Sequence, residues 1–68
     1  MKVQGTYRGR TYKEVTIEFD ESEDQGSDEL LIGFAMREVS ESPSSLFGWH
    51  VERPAAYPLV AVVTLNTD

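Results

Sequence analysis

Cysteine is absent from this 68-residue chain, which excludes disulfides and thiolate metal sites as sources of stability. Histidine and tryptophan occur once each, at His50 and Trp49, so no second histidine is at hand to share a metal and no Ser-His-Asp arrangement is visible. Long apolar runs are lacking too. The longest, Tyr57 to Leu65, is nine residues, about half the ~20 that a spanning helix needs. The segment Met1-Lys2-Val3-Gln4-Gly5 has no apolar h-region, so no signal peptide is expected and the expected location is the cytoplasm. The five glycines are scattered and match no phosphate-binding fingerprint. A chain this short buries only ~60% of its unfolded surface. It is read as a single domain, 1–68, that must rely on a compact core, on oligomerisation, or on both.

Charge of one sign is missing from long stretches. Residues 1–13 hold Lys2, Arg8, Arg10 and Lys13 and no acid. Residues 14–29 hold Glu14, Glu18, Asp20, Glu21, Glu23, Asp24, Asp28 and Glu29 and no base. The remainder adds Arg37 and Arg53 against Glu38, Glu41, Glu52 and Asp68, for a net charge of −6. With this balance and a pI near 4.5, neither nucleic acid nor an anionic membrane is an expected partner, because like charges repel.

Residues 1–19 read as a β-hairpin, rich in β-branched and aromatic residues around Gly9. Met1, Val3 and Tyr7 alternate on one strand, and Val15, Ile17 and Phe19 on the other. A three-residue loop Gly9-Arg10-Thr11 puts both sets on one face, with Val3 opposite Ile17 and Lys2 opposite Glu18. Asp20 to Glu29 has no apolar residue and is expected to be a solvated loop. Residues 30–39 fit two patterns. As a helix, Ser27 caps, Asp28 and Glu29 fill the first turn, and Glu29, Gly33, Arg37 and Glu41 form a polar stripe. As a strand, Leu30, Ile32, Phe34 and Met36 share a face, and a turn at 42–45 pairs Glu41 with Leu46 and Met36 with Val51. The strand is preferred because it agrees with the alternation of Phe47, Trp49 and Val51 and because Gly33 costs about 1 kcal/mol inside a helix. Pro54 to Pro58 is a connector. Leu59 to Leu65 is apolar on both faces and is expected to be a central, covered strand.

The fold expected from these patterns is all-β: a five-stranded antiparallel meander, with strands near 1–8, 12–19, 30–39, 46–53 and 58–66, curled into a barrel or sandwich. The alternative is α+β, with a helix at 28–40 packed on a four-stranded antiparallel sheet.

The acidic segment is the chief functional candidate. Asp20, Ser22, Asp24 and Asp28 echo the alternate-oxygen spacing of calcium loops, but glycine falls at the seventh place and Leu31 replaces the bidentate glutamate. No catalytic residue, metal ligand set or cofactor site is assigned. A carboxylate dyad needs fixed spacing, and a base at His50 needs a positioned partner. Tyr12, beside Arg8 and Arg10 on the polar hairpin face, joins Asp20, Glu21, Glu23, Asp24, Asp28 and Glu29 as a partner-binding candidate. The function expected is that of a non-catalytic module engaging a basic surface of a partner protein. One form is an inhibitor or immunity-type protein that covers a nucleic-acid-binding surface. A structural or assembly subunit, dimerising through Val60 and Val62, is the second reading, and a calcium-binding module the third.

Overall fold

Alternation of apolar and polar residues in Tyr12–Phe19 and a doubly apolar Leu59–Asn66 produce the two strands at the centre of the sheet. The computed structural model of the chain describes residues 1–67. Four strands, β1 (Lys2–Arg8), β2 (Tyr12–Phe19), β3 (Leu46–Glu52) and β4 (Leu59–Asn66), form one antiparallel sheet in the order β1-β2-β4-β3, with a helix α1 (Asp28–Glu38) on one side. Short 3-10 turns lie at Glu21–Glu23 and Pro43–Ser45. The architecture is the α+β alternative, an open sheet under one helix, and the five-stranded barrel or sandwich is overturned.

The hairpin of β1 and β2 keeps the expected pairs Lys2 with Glu18 and Val3 with Ile17. Between Val3 and Gly5 the register shifts, so that Gly5 meets Thr16 and Tyr7 meets Glu14. The turn is one residue tighter than the expected loop: Gly9 N–H donates to the Tyr12 carbonyl at 2.8 Å. A bulge adds one residue to a strand and inverts the faces beyond it. Tyr7 therefore leaves the face of Val3 and stands with Glu14 on the opposite side.

Residues 30–39 are helical, which corrects the strand assignment. The Ser27 hydroxyl accepts a hydrogen bond from Leu30 N–H at 3.2 Å, and Asp28 and Glu29 sit in the first turn, where carboxylates oppose the helix dipole. Leu31, Ile32, Ala35 and Met36 are buried as one stripe. Burial of each large member contributes about 1.5–3 kcal/mol, which outweighs the ~1 kcal/mol cost of Gly33. The strand pattern fails at Leu30, which is 62% exposed. The helix closes with Ser40 at φ 58°, Ser40 N–H on the Arg37 carbonyl and Glu41 N–H on the Met36 carbonyl, a Schellman ending. The expected pairs Glu41–Leu46 and Met36–Val51 do not form. Val51 instead pairs with Ala61 and Trp49 with Val63.

Since α1 carries the chain back along the sheet, β3 enters at the far edge and β4 fills the place between β3 and β2. The meander order is thereby broken. One face of the sheet contributes Val15, Ile17, Phe19, Leu59, Ala61, Val63 and Leu65 to the core beneath α1. Strand β4 is central, as expected, but covered on that face only. Val60 and Val62 lie on the other, partly exposed.

Candidate protein-binding surfaces

The acidic segment is built, not a free loop. After β2, Asp20 N–H donates to Glu23 Oε1 at 3.1 Å and Ser22 Oγ donates to Asp20 Oδ1 at 2.6 Å, closing the turn 21–23. Gly26 takes φ +86°, a conformation glycine reaches without strain, and its N–H donates to Asp24 Oδ1 at 3.0 Å. From the connector between β3 and β4, Arg53 reaches back. Its Nε donates to Asp28 Oδ1 at 2.7 Å and its Nη1 lies 3.3–3.4 Å from both oxygens of Asp24. Tyr57 adds its hydroxyl to Asp24 Oδ2 at 2.8 Å. The α-amino group of Met1 contacts Glu23.

These contacts set the local electrostatics. The Gly26 N–H, then the Tyr57 hydroxyl and Arg53, hold the Asp24 carboxyl below its ordinary range, and the Ser22 hydroxyl does the same for Asp20. Asp28 and Asp24 raise the Arg53 guanidinium in turn, and Asp24 raises the Tyr57 phenol. Asp24 and Asp28 are thus directed at a cation that the chain itself supplies. Among the described residues no group of three or more His, Asp or Glu side chains is arranged to hold a metal ion. Sequence reasoning missed Arg53 and Tyr57. The available signal was that Arg53 is one of only two bases after residue 13.

Strand direction then separates charge along the molecule, whose longest extent is 35 Å. At the end where β2 stops and β4 starts, the six acids of 20–29 are joined by Glu18 and Glu52 against Lys2, Arg53 and the α-amino group. At the hairpin-turn end lie Arg8, Arg10 and Lys13, with Lys13 Nζ 3.0 Å from Glu41. Tyr12 belongs to that second end, about 24 Å along β2 from Phe19 at ~3.4 Å per residue. The structure therefore groups Asp20 to Glu29 and parts Tyr12 from them.

Tyr12 stands on the uncovered sheet face, 37% exposed, with its ring 6.0 Å from that of Tyr7. Its neighbours differ from those expected, because Arg8 pairs with Lys13 on the helix-facing side. Tyr7 raises the Tyr12 phenol above its ordinary value. Phe47, at the register shift of β3, is 79% exposed and borders a hollow of about 380 Å³ with Tyr12, Thr11, Thr64 and Asn66. Val60 and Val62 lie on the same face, as does His50, whose Nε2 is 3.9 Å from Glu52 Oε1.

A second hollow of about 520 Å³ runs between α1 and β3, floored by Ile32, Met36, Leu46 and Trp49. Gly33 lies in its helical wall, and Glu29, Arg37 and Glu41 form its rim. Trp49 points to the helix side, yet remains 39% exposed because it lines the open hollow beside α1. This groove was invisible from a sequence read with 30–39 as a strand, since it exists only where a helix passes an edge strand. No helix among the described residues is long and apolar enough to cross a membrane. Comparisons with protein-family models, with curated proteins and with solved structures found no match.

Proposed function

We propose that this chain is a non-catalytic protein-binding module whose acidic end engages a basic surface on a partner protein. The observation that supports it is the collection of eight carboxylates at one end of the sheet against two basic side chains and the α-amino group. Dense carboxylates steer and dock cationic surfaces. They also take the places of phosphates, so a nucleic-acid-binding surface is one form the partner takes. Within the cluster the roles divide. Asp24 and Asp28 hold Arg53, whereas Asp20 and Glu23 close the turn 21–23 through oxygen acceptors that Asn and Gln retain.

The test is partner capture from cell extract on immobilised protein, beside a variant carrying Asp20→Asn, Glu21→Gln and Glu23→Gln, with Asp24 and Asp28 left intact. The expected partner carries a basic surface, is lost with the variant, and is released by about 1 M salt, where screening acts over ~3 Å. Capture that resists both overturns the reading.

A second reading is assembly of two copies through the uncovered sheet face around Val60 and Val62. The exposure of Phe47 beside Tyr12 on that face favours it. Sedimentation equilibrium decides: a dimer weakened by Phe47→Ser supports this reading, and a monomer at every concentration overturns it.

A further inference from the structure

Gly33 is the sixth of the eleven residues of α1, and nothing among the described residues requires glycine there. Its φ is not positive, and among the described residues a Cβ there meets no heavy atom within 4 Å beyond its chain neighbours and the backbone of its own helix. Glycine weakens a helix interior, so this position gives up helix stability without serving the packing of the free chain. Its effect is to leave the helix backbone bare along the wall of the groove, opposite Leu46 and Trp49. A bare backbone is what permits another chain to approach closely.

The other side of the groove is β3, an edge strand that among the described residues pairs with β4 alone, so its outer N–H and C=O groups face no strand there. From this we infer that the groove takes an extended segment of a partner polypeptide, added antiparallel to the outer edge of β3 with alternate side chains entering the groove. The inference rests on the protein-binding reading above and assigns it a second surface.

Charge on the rim specifies the segment: Glu41 is already paired with Lys13 at 3.0 Å, which leaves Glu29 and Arg37 to be matched. Glu29 and Arg37 stand four residues either side of Gly33, about 12 Å apart along the helix at ~1.5 Å per residue. Four residues of extended chain cover about the same distance, at ~3.3 Å each, and every second side chain faces the groove. The segment therefore carries a basic residue at Glu29, an apolar residue over Gly33, and an acidic residue at Arg37, each separated by one outward-facing residue. Strand β3 runs toward the Asp28 end of α1, where Arg53 grips Asp28. An antiparallel segment consequently reads basic first and acidic last. A second copy of β3 does not meet this demand. Its groove-side residues Leu46, Trp49 and Val51 bring neither base nor acid.

The experiment pans a random library of peptides about nine residues long against the full chain, long enough to span the seven residues of β3. The expected enrichment is basic-x-apolar-x-acidic. Gly33→Ala is expected to weaken the enriched peptide about tenfold or more while the fold is retained, since the added methyl group takes the space of the apolar side chain seated over Gly33. The double variant Glu29→Lys with Arg37→Glu is expected to reverse the selected order to acidic-x-apolar-x-basic. Amide shifts on binding should fall on β3 and on the Trp49 indole. Enriched peptides without the pattern, an affinity indifferent to Gly33→Ala, or contacts between two copies that fall on β3 in isotope-filtered NMR would each overturn the inference. Loss of peptide binding with salt-sensitive partner capture intact refutes the groove alone. The converse refutes the acidic end alone.

Discussion

Replacing Gly33 by alanine should stabilise the protein, and the size of the effect follows from the geometry. In a helix interior alanine is better than glycine by about 0.8–1.0 kcal/mol, largely because glycine loses more backbone freedom on folding. Two terms can cancel that gain: a clash of the new methyl group, or strain in φ. Neither operates at Gly33, where among the described residues no heavy atom beyond the chain neighbours and its own helix backbone lies within 4 Å of a Cβ and φ is not positive. The site is exposed, so the methyl group buries little apolar area and adds little of its own. The net expectation is +0.5–1 kcal/mol, or about 3–7 °C in Tm for a domain of this size. In urea, with m about 1 kcal/mol/M, the midpoint should move up by ~0.5–1 M. Far-UV circular dichroism melts at two protein concentrations give the measurement and exclude a shift that arises from association. An unchanged or lowered Tm would refute the reasoning, because it would mean that the groove wall at Gly33 is already occupied by the chain or by a second copy.

Four further outcomes are expected. Gly9→Ala should lower Tm, by about 1 kcal/mol equivalent, and abolish ring-to-ring nuclear Overhauser contacts between Tyr7 and Tyr12, since a Cβ at 9 would lie 2.3 Å from Tyr12 Cε1. Ser40→Gly should raise stability by about 1 kcal/mol in a urea titration, because Ser40 ends α1 at φ 58° with the side-chain penalty that glycine avoids. Asp20 and Asp24 have folded-state pKa values below their ordinary 3.8. Their contribution is present above that value and lost as pH falls through and below it. Melts between about pH 6 and pH 2.5 should therefore fall below ~pH 4, and Asp24→Asn should lie lower at neutral pH and converge with wild type in acid. Phe19→Ala empties the most bulky fully buried position and should cost about 3–5 kcal/mol. That equals the whole stability a core this small usually supplies, so the expected result is collapse of amide dispersion in the NMR spectrum at 25 °C.

Particular elements show where the sequence was legible. Alternation over 12–19 placed Val15, Ile17 and Phe19 on one buried face, and the doubly apolar Leu59 to Leu65 announced a central strand. Parity also paired Lys2 with Glu18. It failed beyond Val3, because the strand bulges beside Gly5, whose place inside a strand was the available signal, and the bulge inverts Tyr7. The segment 30–39 was legible as one of two structures and no further. Ser27, Asp28 and Glu29 spelled out a helix start, but a run this apolar also satisfies a strand.

At the site, the acids from Asp20 to Glu29 were plain in the sequence while their use was not. Arg53 and Tyr57 are more than 25 residues away along the chain from Asp24, a distance no local pattern encodes. Periodicity and charge order, which depend on near neighbours, determined the strands, the acidic block and the helix cap. Tertiary structure decided what depends on distant ones: that β4 inserts between β2 and β3, that Arg53 closes on Asp24 and Asp28, and that α1 and β3 leave a hollow between them. The last puts Trp49 and Gly33 in the walls of one open hollow, because a cylindrical helix laid on a sheet fills only the strip directly beneath it.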